Sequence, residues 1–153
     1  MANSTFIYVT YIRTTQRKLW EALTSSKIIQ QYWFGLRIES DWCVGSSWEF
    51  FAGDELMDSG KILESIPRKR LVRSWQCQWR SDLRKEGISH CTYDIVQVGK
   101  SVKLTVAHTM RRNNSKFIKA VSEGWPMCIS NLKSLLETKK ITLSEHPGHE
   151  SSM

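Results

Sequence analysis

From residue 36 to 109 the apolar residues of this chain recur with a period of two, beyond about residue 110 with a helical period, and that change constrains the fold more than any motif in it. Leu36, Ile38, Ser40 and Trp42 alternate with polar neighbours, and Trp48 and Phe50 resume the pattern after Val44-Gly45-Ser46. Residues 57 to 66 end at Ile66-Pro67, and residues 70 to 79 alternate again as Arg-Leu-Val-Arg-Ser-Trp-Gln-Cys-Gln-Trp. Residues 88 to 97 and 101 to 109 flank Gly99-Lys100, a hairpin turn. Alternation of this kind sends successive side chains to opposite faces and marks half-buried strands. Beyond it, Ile118, Val121, Trp125, Cys128, Ile129, Leu132, Leu135 and Leu136 recur at spacings of three and four, one apolar stripe of a helix. Strands joined by short turns make an antiparallel sheet. A single long amphipathic helix must then bury its stripe on one face of that sheet.

The start of the chain adds three elements. Residues 6 to 13, Phe-Ile-Tyr-Val-Thr-Tyr-Ile-Arg, read as a strand. Thr14 or Thr15 caps a helix carrying Leu19, Trp20 and Leu23, and Ser25-Ser26 restarts a second short helix through Ile28, Ile29 and Tyr32. At the other end Asn114 or Ser115 caps the long helix, whose apolar pattern Gly124 and Pro126 interrupt. Pro126 lacks an N–H and crowds the carbonyl of Ser122, so a kink is expected, with that carbonyl free to accept a hydrogen bond. Residues 80 to 87 read as a loop, and residues 139 to 153 lose all pattern and read as a disordered tail. The expected unit is one domain over residues 1 to 138.

Charge and cysteine usage narrow the function classes. The formal net charge is +7, yet Arg68-Lys69-Arg70, Arg111-Arg112 and Lys139-Lys140 are short clusters without a recognition-helix or RNA-binding pattern, so no nucleic acid is expected as a partner. Cys43, Cys77, Cys91 and Cys128 form no C-x-x-C pair and have no histidine at ligand spacing. Free thiols follow as the expectation, with no metal and no cofactor. The first residues, Met-Ala-Asn-Ser-Thr, lack the regions of a signal peptide, and no run is long enough for a membrane span. A cytoplasmic protein without membrane insertion is the expectation.

The element order and five segments carry a resemblance. They are residues 13 to 24, Gln-Tyr-Trp-Phe-Gly at 31 to 35, residues 59 to 75, residues 102 to 109 and residues 124 to 137. Together they resemble the SRPBCC superfamily, the START and birch-pollen-allergen fold. Within it they resemble the group homologous to the activator of the heat-shock protein 90 ATPase. The resemblance implies an α+β helix-grip fold: an antiparallel sheet of six to seven strands wrapped around a long C-terminal helix, with two short helices after the first strand. Thr15 departs from the family pattern, which usually has proline there, and a hydroxyl cap substitutes.

In that fold the pocket lies between the concave face of the sheet and the long helix. Seven tryptophans in a chain of 153 residues are more aromatic surface than a tight core requires. The expected lining is Trp48 and Phe50 from one strand face, Trp75 from another, Trp125 and Ile129 from the helical stripe, and Trp20, Trp33 and Phe34 near the entrance. If Trp125 lines space rather than core, Trp125→Ala should cost only about 1 to 2.5 kcal/mol. His108 is either a buried hydrogen-bonded histidine or a ligand contact or base. No catalytic triad, dyad or phosphate-cradling glycine loop is present in the sequence pattern. The favoured function is binding of a small, largely apolar or aromatic ligand. The alternatives are a co-chaperone-like regulator with a chaperone partner, and a cyclase or hydrolase acting on an aromatic polyketide-like substrate.

Overall fold

Alternating segments become strands and the two capped segments become helices in the order anticipated. The computed structural model describes residues 3–144. β1 (Ser4–Ile12) leads into α1 (Gln16–Thr24) and α2 (Ser26–Tyr32), and six further strands follow: β2 (Arg37–Ser40), β3 (Ser47–Ala52), β4 (Glu55–Ile66), β5 (Arg70–Cys77), β6 (Ser89–Val98) and β7 (Ser101–Met110). A short α3 (Ser81–Arg84) lies between β5 and β6, and α4 (Lys116–Thr138) ends the order. The strands form one seven-stranded sheet, β1-β7-β6-β5-β4-β3-β2. Every neighbouring pair is antiparallel. α4 packs on the concave face, so the architecture is the α+β helix grip.

The caps are side-chain specific. Thr15 accepts from the Lys18 N–H at 3.1 Å, so the hydroxyl takes the place where proline was expected. Ser25 accepts from Ile28 and Ser115 from Ile118. α4 also has a second cap that arrives from 30 residues upstream in the chain. Glu86 receives hydrogen bonds from the Ser115 hydroxyl (2.6 Å), the Lys116 N–H (2.8 Å) and the Phe117 N–H (3.2 Å). Burial alone would raise its carboxyl, but these bonds outweigh burial and hold it below the ordinary range. A carboxylate there also suits the positive end of the helix.

One expectation is corrected. The segment from 80 to 87 is not a plain loop: it contains α3, whose Leu83 is buried. α4 continues through Pro126 as a single helix, with Trp125, Cys128 and Ile129 anchoring the turns on either side in the core. Past α4, the N–H groups of Thr142 and Leu143 donate to the side chain of Asn131, fully buried within that helix, which donates in turn to the Leu143 carbonyl. The rest of the segment expected to be a tail, residues 145–153, lies outside the described residues.

Two register shifts, at Phe50/Phe51 and at Ile62/Glu64, bend the sheet around the helix. Between them Gly60 lies opposite Trp48. The Trp48 indole crosses this point to donate to the Ser74 carbonyl at 2.9 Å. A Cβ on Gly60 would overlap that carbonyl oxygen and stand 2.6 Å from the indole nitrogen. Gly124, in the interior of α4, is the opposite case, because a Cβ there would meet nothing within 4 Å. Gly60→Ala should therefore cost about 3 kcal/mol or more. Gly124→Ala should gain about 0.5 to 1 kcal/mol from helix propensity. Denaturant melts of the two variants check this opposite pair of signs.

Candidate functional site: an aromatic cavity beneath the long helix

Face parity places the cavity. On β5, Leu71, Arg73, Trp75 and Cys77 are all buried toward the helix, and α4 turns its stripe down onto them. Trp75 and Cys77 with Met57 and Asp58 of β4 form the floor of a cavity of about 540 Å³. The roof is the α4 face carrying Phe117, Ala120, Val121, Gly124, Trp125 and Cys128. Trp33, Phe34 and Leu36 close one side after α2, and Trp79, Arg80 and Leu83 the other. This volume lies within the range of roughly 300 to 1,000 Å³ typical of small-molecule sites.

Beneath the floor lies a buried cation. The Arg73 guanidinium lies over both Trp48 and Trp75, 4.5 Å from each ring centroid, where the two indoles meet edge to face at 4.8 Å, with Phe50 and Tyr93 at 5.7 Å. Its Nη2 donates to the Tyr93 hydroxyl at 3.1 Å, while Nε and Nη1 have no hydrogen-bond partner among the described residues. Desolvating such an ion costs several kcal/mol. Each desolvated cation–π contact returns about 2 kcal/mol, so two indoles and a phenol offset much of the cost. Part of the unusual tryptophan content thus solvates an arginine.

Trp75 links this cation to the cavity. Its indole N–H donates to Asp58 Oδ1 at 3.1 Å. Burial pushes the Asp58 carboxyl up to about 6, against the opposing pull of the Trp75 hydrogen bond and the Arg73 charge. Burial likewise raises the thiols of Cys77 and Cys128 at the cavity wall, which keeps them protonated. All four cysteines are free, as expected, and Cys43 is the exposed one.

His108 is locked below the surface. Trp125 Nε1 donates to its Nδ1 at 3.1 Å, and an indole can only donate, so the proton of the neutral ring sits on Nε2. Nε2 lies 2.8 Å from Ser89 Oγ and donates to it, and the Ser89 hydroxyl donates in turn to the Trp75 carbonyl at 3.1 Å. Burial, with Arg73 and His90 adding to it, lowers the His108 pKa to about 3. Of the two readings the sequence left open, the structure shows the buried, hydrogen-bonded histidine.

Both the fold and the chain have known counterparts. The family model described as activator of Hsp90 ATPase homolog 1-like protein matches residues 13–137. The chain belongs to this family. No curated protein matches it. Among solved structures, ChR145 from Cytophaga hutchinsonii is 27% identical, with a TM-score of 0.70 over 89% of this chain and 95% of that one. CalU16 from Micromonospora echinospora is 18% identical, with a TM-score of 0.72 over 88% of this chain and 77% of that one. The Aha1 dimer from Colwellia psychrerythraea is 18% identical, with a TM-score of 0.71 over 88% and 97% of the two chains. Identities as low as the last two establish a shared fold.

Within this family member the expected site residues divide. Trp33, Phe34, Trp75 and Trp125 come together around the cavity. Trp48, Phe50, His108 and Ile129 are buried in the core and are not among its lining residues, and Trp20 packs partly buried against that core. Trp48 and Phe50 share the inward face as expected, but the Arg73 side chain occupies the space beside their rings. Sequence reasoning passed over Arg73, although its parity with Leu71, Trp75 and Cys77 was a readable signal of an inward arginine. Asp58 carried no such signal, because the register shift at Phe50/Phe51 breaks the parity count through the turn.

Trp125 both walls the cavity and packs as core, with Trp33, Trp75 and Tyr93 rings at 5.1, 5.8 and 5.8 Å. Its truncation also strands His108 Nδ1, so the expected cost of Trp125→Ala rises to about 3 to 5 kcal/mol, measured by denaturant melts.

The two shifted groups give stability opposite pH dependences. Asp58 has a raised folded pKa, so its contribution is full below its ordinary value of 3.8 and is lost as pH rises through about 6. His108 has a depressed folded pKa, so its contribution is full above 6.5 and is lost as pH falls toward about 3. Asp58→Asn removes the first and leaves the second. Its stability should rise more steeply than that of the wild type between about pH 4 and 6, the difference reaching at most about 3 kcal/mol in melts across that range.

Proposed function

We propose that the protein binds a small, largely apolar, aromatic molecule in the cavity between β4, β5 and α4. The observation that carries this reading is the wall itself: four indoles and a row of aliphatic side chains around about 540 Å³, with a glycine in the roof. Aromatic surface arranged around space, rather than collapsed on itself, suits a flat apolar guest. The thiols and the histidine near the cavity are restrained. The wall thiols are held protonated, and both nitrogens of His108 are engaged inside the core. That supports carriage or sensing over turnover.

The family description favours a second reading, a co-chaperone-like role toward a heat-shock ATPase. Co-purification with the chaperone followed by an ATPase assay tests it, and unchanged ATPase activity at saturating protein would sink it.

The binding reading is tested by thermal shift with a panel of neutral bicyclic aromatics. A compound at 100 times its dissociation constant should stabilise the wild type by about 2.7 kcal/mol. Gly124→Leu, which projects a branched side chain into the open roof, should abolish the shift while keeping the ligand-free stability within about 1 kcal/mol. A variant that responds like the wild type would place the binding elsewhere.

A further inference from the structure

The cavity has a carboxylate in its floor of which the fold engages only one oxygen. Asp58 Oδ1 receives the Trp75 N–H, while Oδ2 has no partner among the described residues and Asp58 lines the cavity. Asp58 pairs across the sheet with Phe50 on one side and Cys77 on the other. The titratable groups around it are Arg73 and Cys77 on β5, Cys128 on α4, and Arg80, which is engaged with Asp82 at 2.8 Å. The thiols are held neutral by burial, so the inner balance is one buried guanidinium against one carboxylate.

Those two charges communicate through a single ring. The Trp75 face takes the Arg73 cation at 4.5 Å, and its N–H edge points to the Asp58 carboxylate at 3.1 Å. The arrangement is close to neutral as it stands. A cationic guest would add a second positive charge beside a buried one, and an anionic guest would face Asp58 at close range. A neutral guest with a hydrogen-bond donor leaves the balance untouched and meets a charged acceptor, the stronger class of hydrogen bond.

We infer that Asp58 is the polar anchor of the cavity, and that the ligand class is a neutral aromatic molecule bearing a hydroxyl or N–H donor aimed at Asp58 Oδ2. The inference rests on the cavity-binding reading above and adds the orientation and the chemistry of the guest to it. Because burial holds the Asp58 carboxyl up at about 6, the anchor is charged at neutral pH and is lost as it protonates in mild acid.

The test uses a matched pair of probes, 2-naphthol and 2-methoxynaphthalene, which share a ring system and differ in the donor. Titrations of the full chain by fluorescence or calorimetry at about pH 8 and about pH 5 give the ratio of the two dissociation constants, and 2-naphthol stays neutral at both. In the wild type, 2-naphthol should bind roughly tenfold tighter than the ether near pH 8, and the ratio should fall toward unity near pH 5. Asp58→Asn, which keeps an acceptor for Trp75 but carries no charge, should bring the ratio near unity at both pH values. Its melting transition reports that it is folded. Equal binding of both probes by the wild type near pH 8 overturns the anchor and leaves the cavity reading intact. Preference for 2-naphthoate over both probes also overturns it. Binding of none of the three overturns the cavity reading and the anchor together.

Discussion

An arginine side chain held against two indoles that meet edge to face, with almost no exposure to water, is the interaction around which the concave face is organised. The buried guanidinium needs ring faces in place of water, and this fixes where Trp48 and Trp75 must stand. Trp48 can stand there only because Gly60 leaves a passage for its N–H to reach the Ser74 carbonyl. The Trp75 ring, committed by one face to the cation, uses its edge to hold Asp58, and its backbone carbonyl receives the Ser89 hydroxyl. From Ser89 the chain of donors runs back through His108 to Trp125 on the long helix. A polar network of five side chains thus ties β4, β5, β6, β7 and α4 to one buried charge, and each buried member is costly to leave unsatisfied.

The same network explains why the space beneath α4 remains open. Rings engaged by cation–π contacts and hydrogen bonds cannot rotate to fill a neighbouring void without abandoning those partners. Trp75 and Trp125 therefore present fixed walls, and Gly124 in the roof adds no side chain to fill the gap between them. Glu86 holds the first turn of α4 and Asn131 holds the stretch of chain beyond its second half, so the roof is pinned near both ends. No helix among the described residues is long and apolar enough to cross a membrane, and the apolar stripe of α4 is spent on this roof and on the core.

What could be read in advance followed from periodicity and from local capping chemistry. Alternation is a property of neighbouring residues, so β5 and β7 were visible in the chain with their inward faces. Thr15, Ser25 and Ser115 each bond to an N–H three residues on, a distance that sequence displays directly. The four cavity residues anticipated, Trp33, Phe34, Trp75 and Trp125, were legible because ring size and face parity suffice to place them. The Glu86 cap was not, since its partners lie about 30 positions away and only the fold brings them together. Leu83 in α3 was hidden for a similar reason, within a segment too short and polar to show a period.

The sequence by itself determined the element order, the antiparallel sheet and the helix that must cover it, because period and turn chemistry act over a few residues at a time. Tertiary structure alone decided which inward residues border space and which fill the core. Trp48 and Phe50 have the parity of pocket residues, yet Arg73 takes the place beside them, while the register shift at Phe50/Phe51 turns Asp58 to the cavity wall. Parity says only that a side chain points inward. Whether it meets a ring, a charge or open space depends on the register of strands β3, β4 and β5 and on the seat of α4, which are settled by long-range packing.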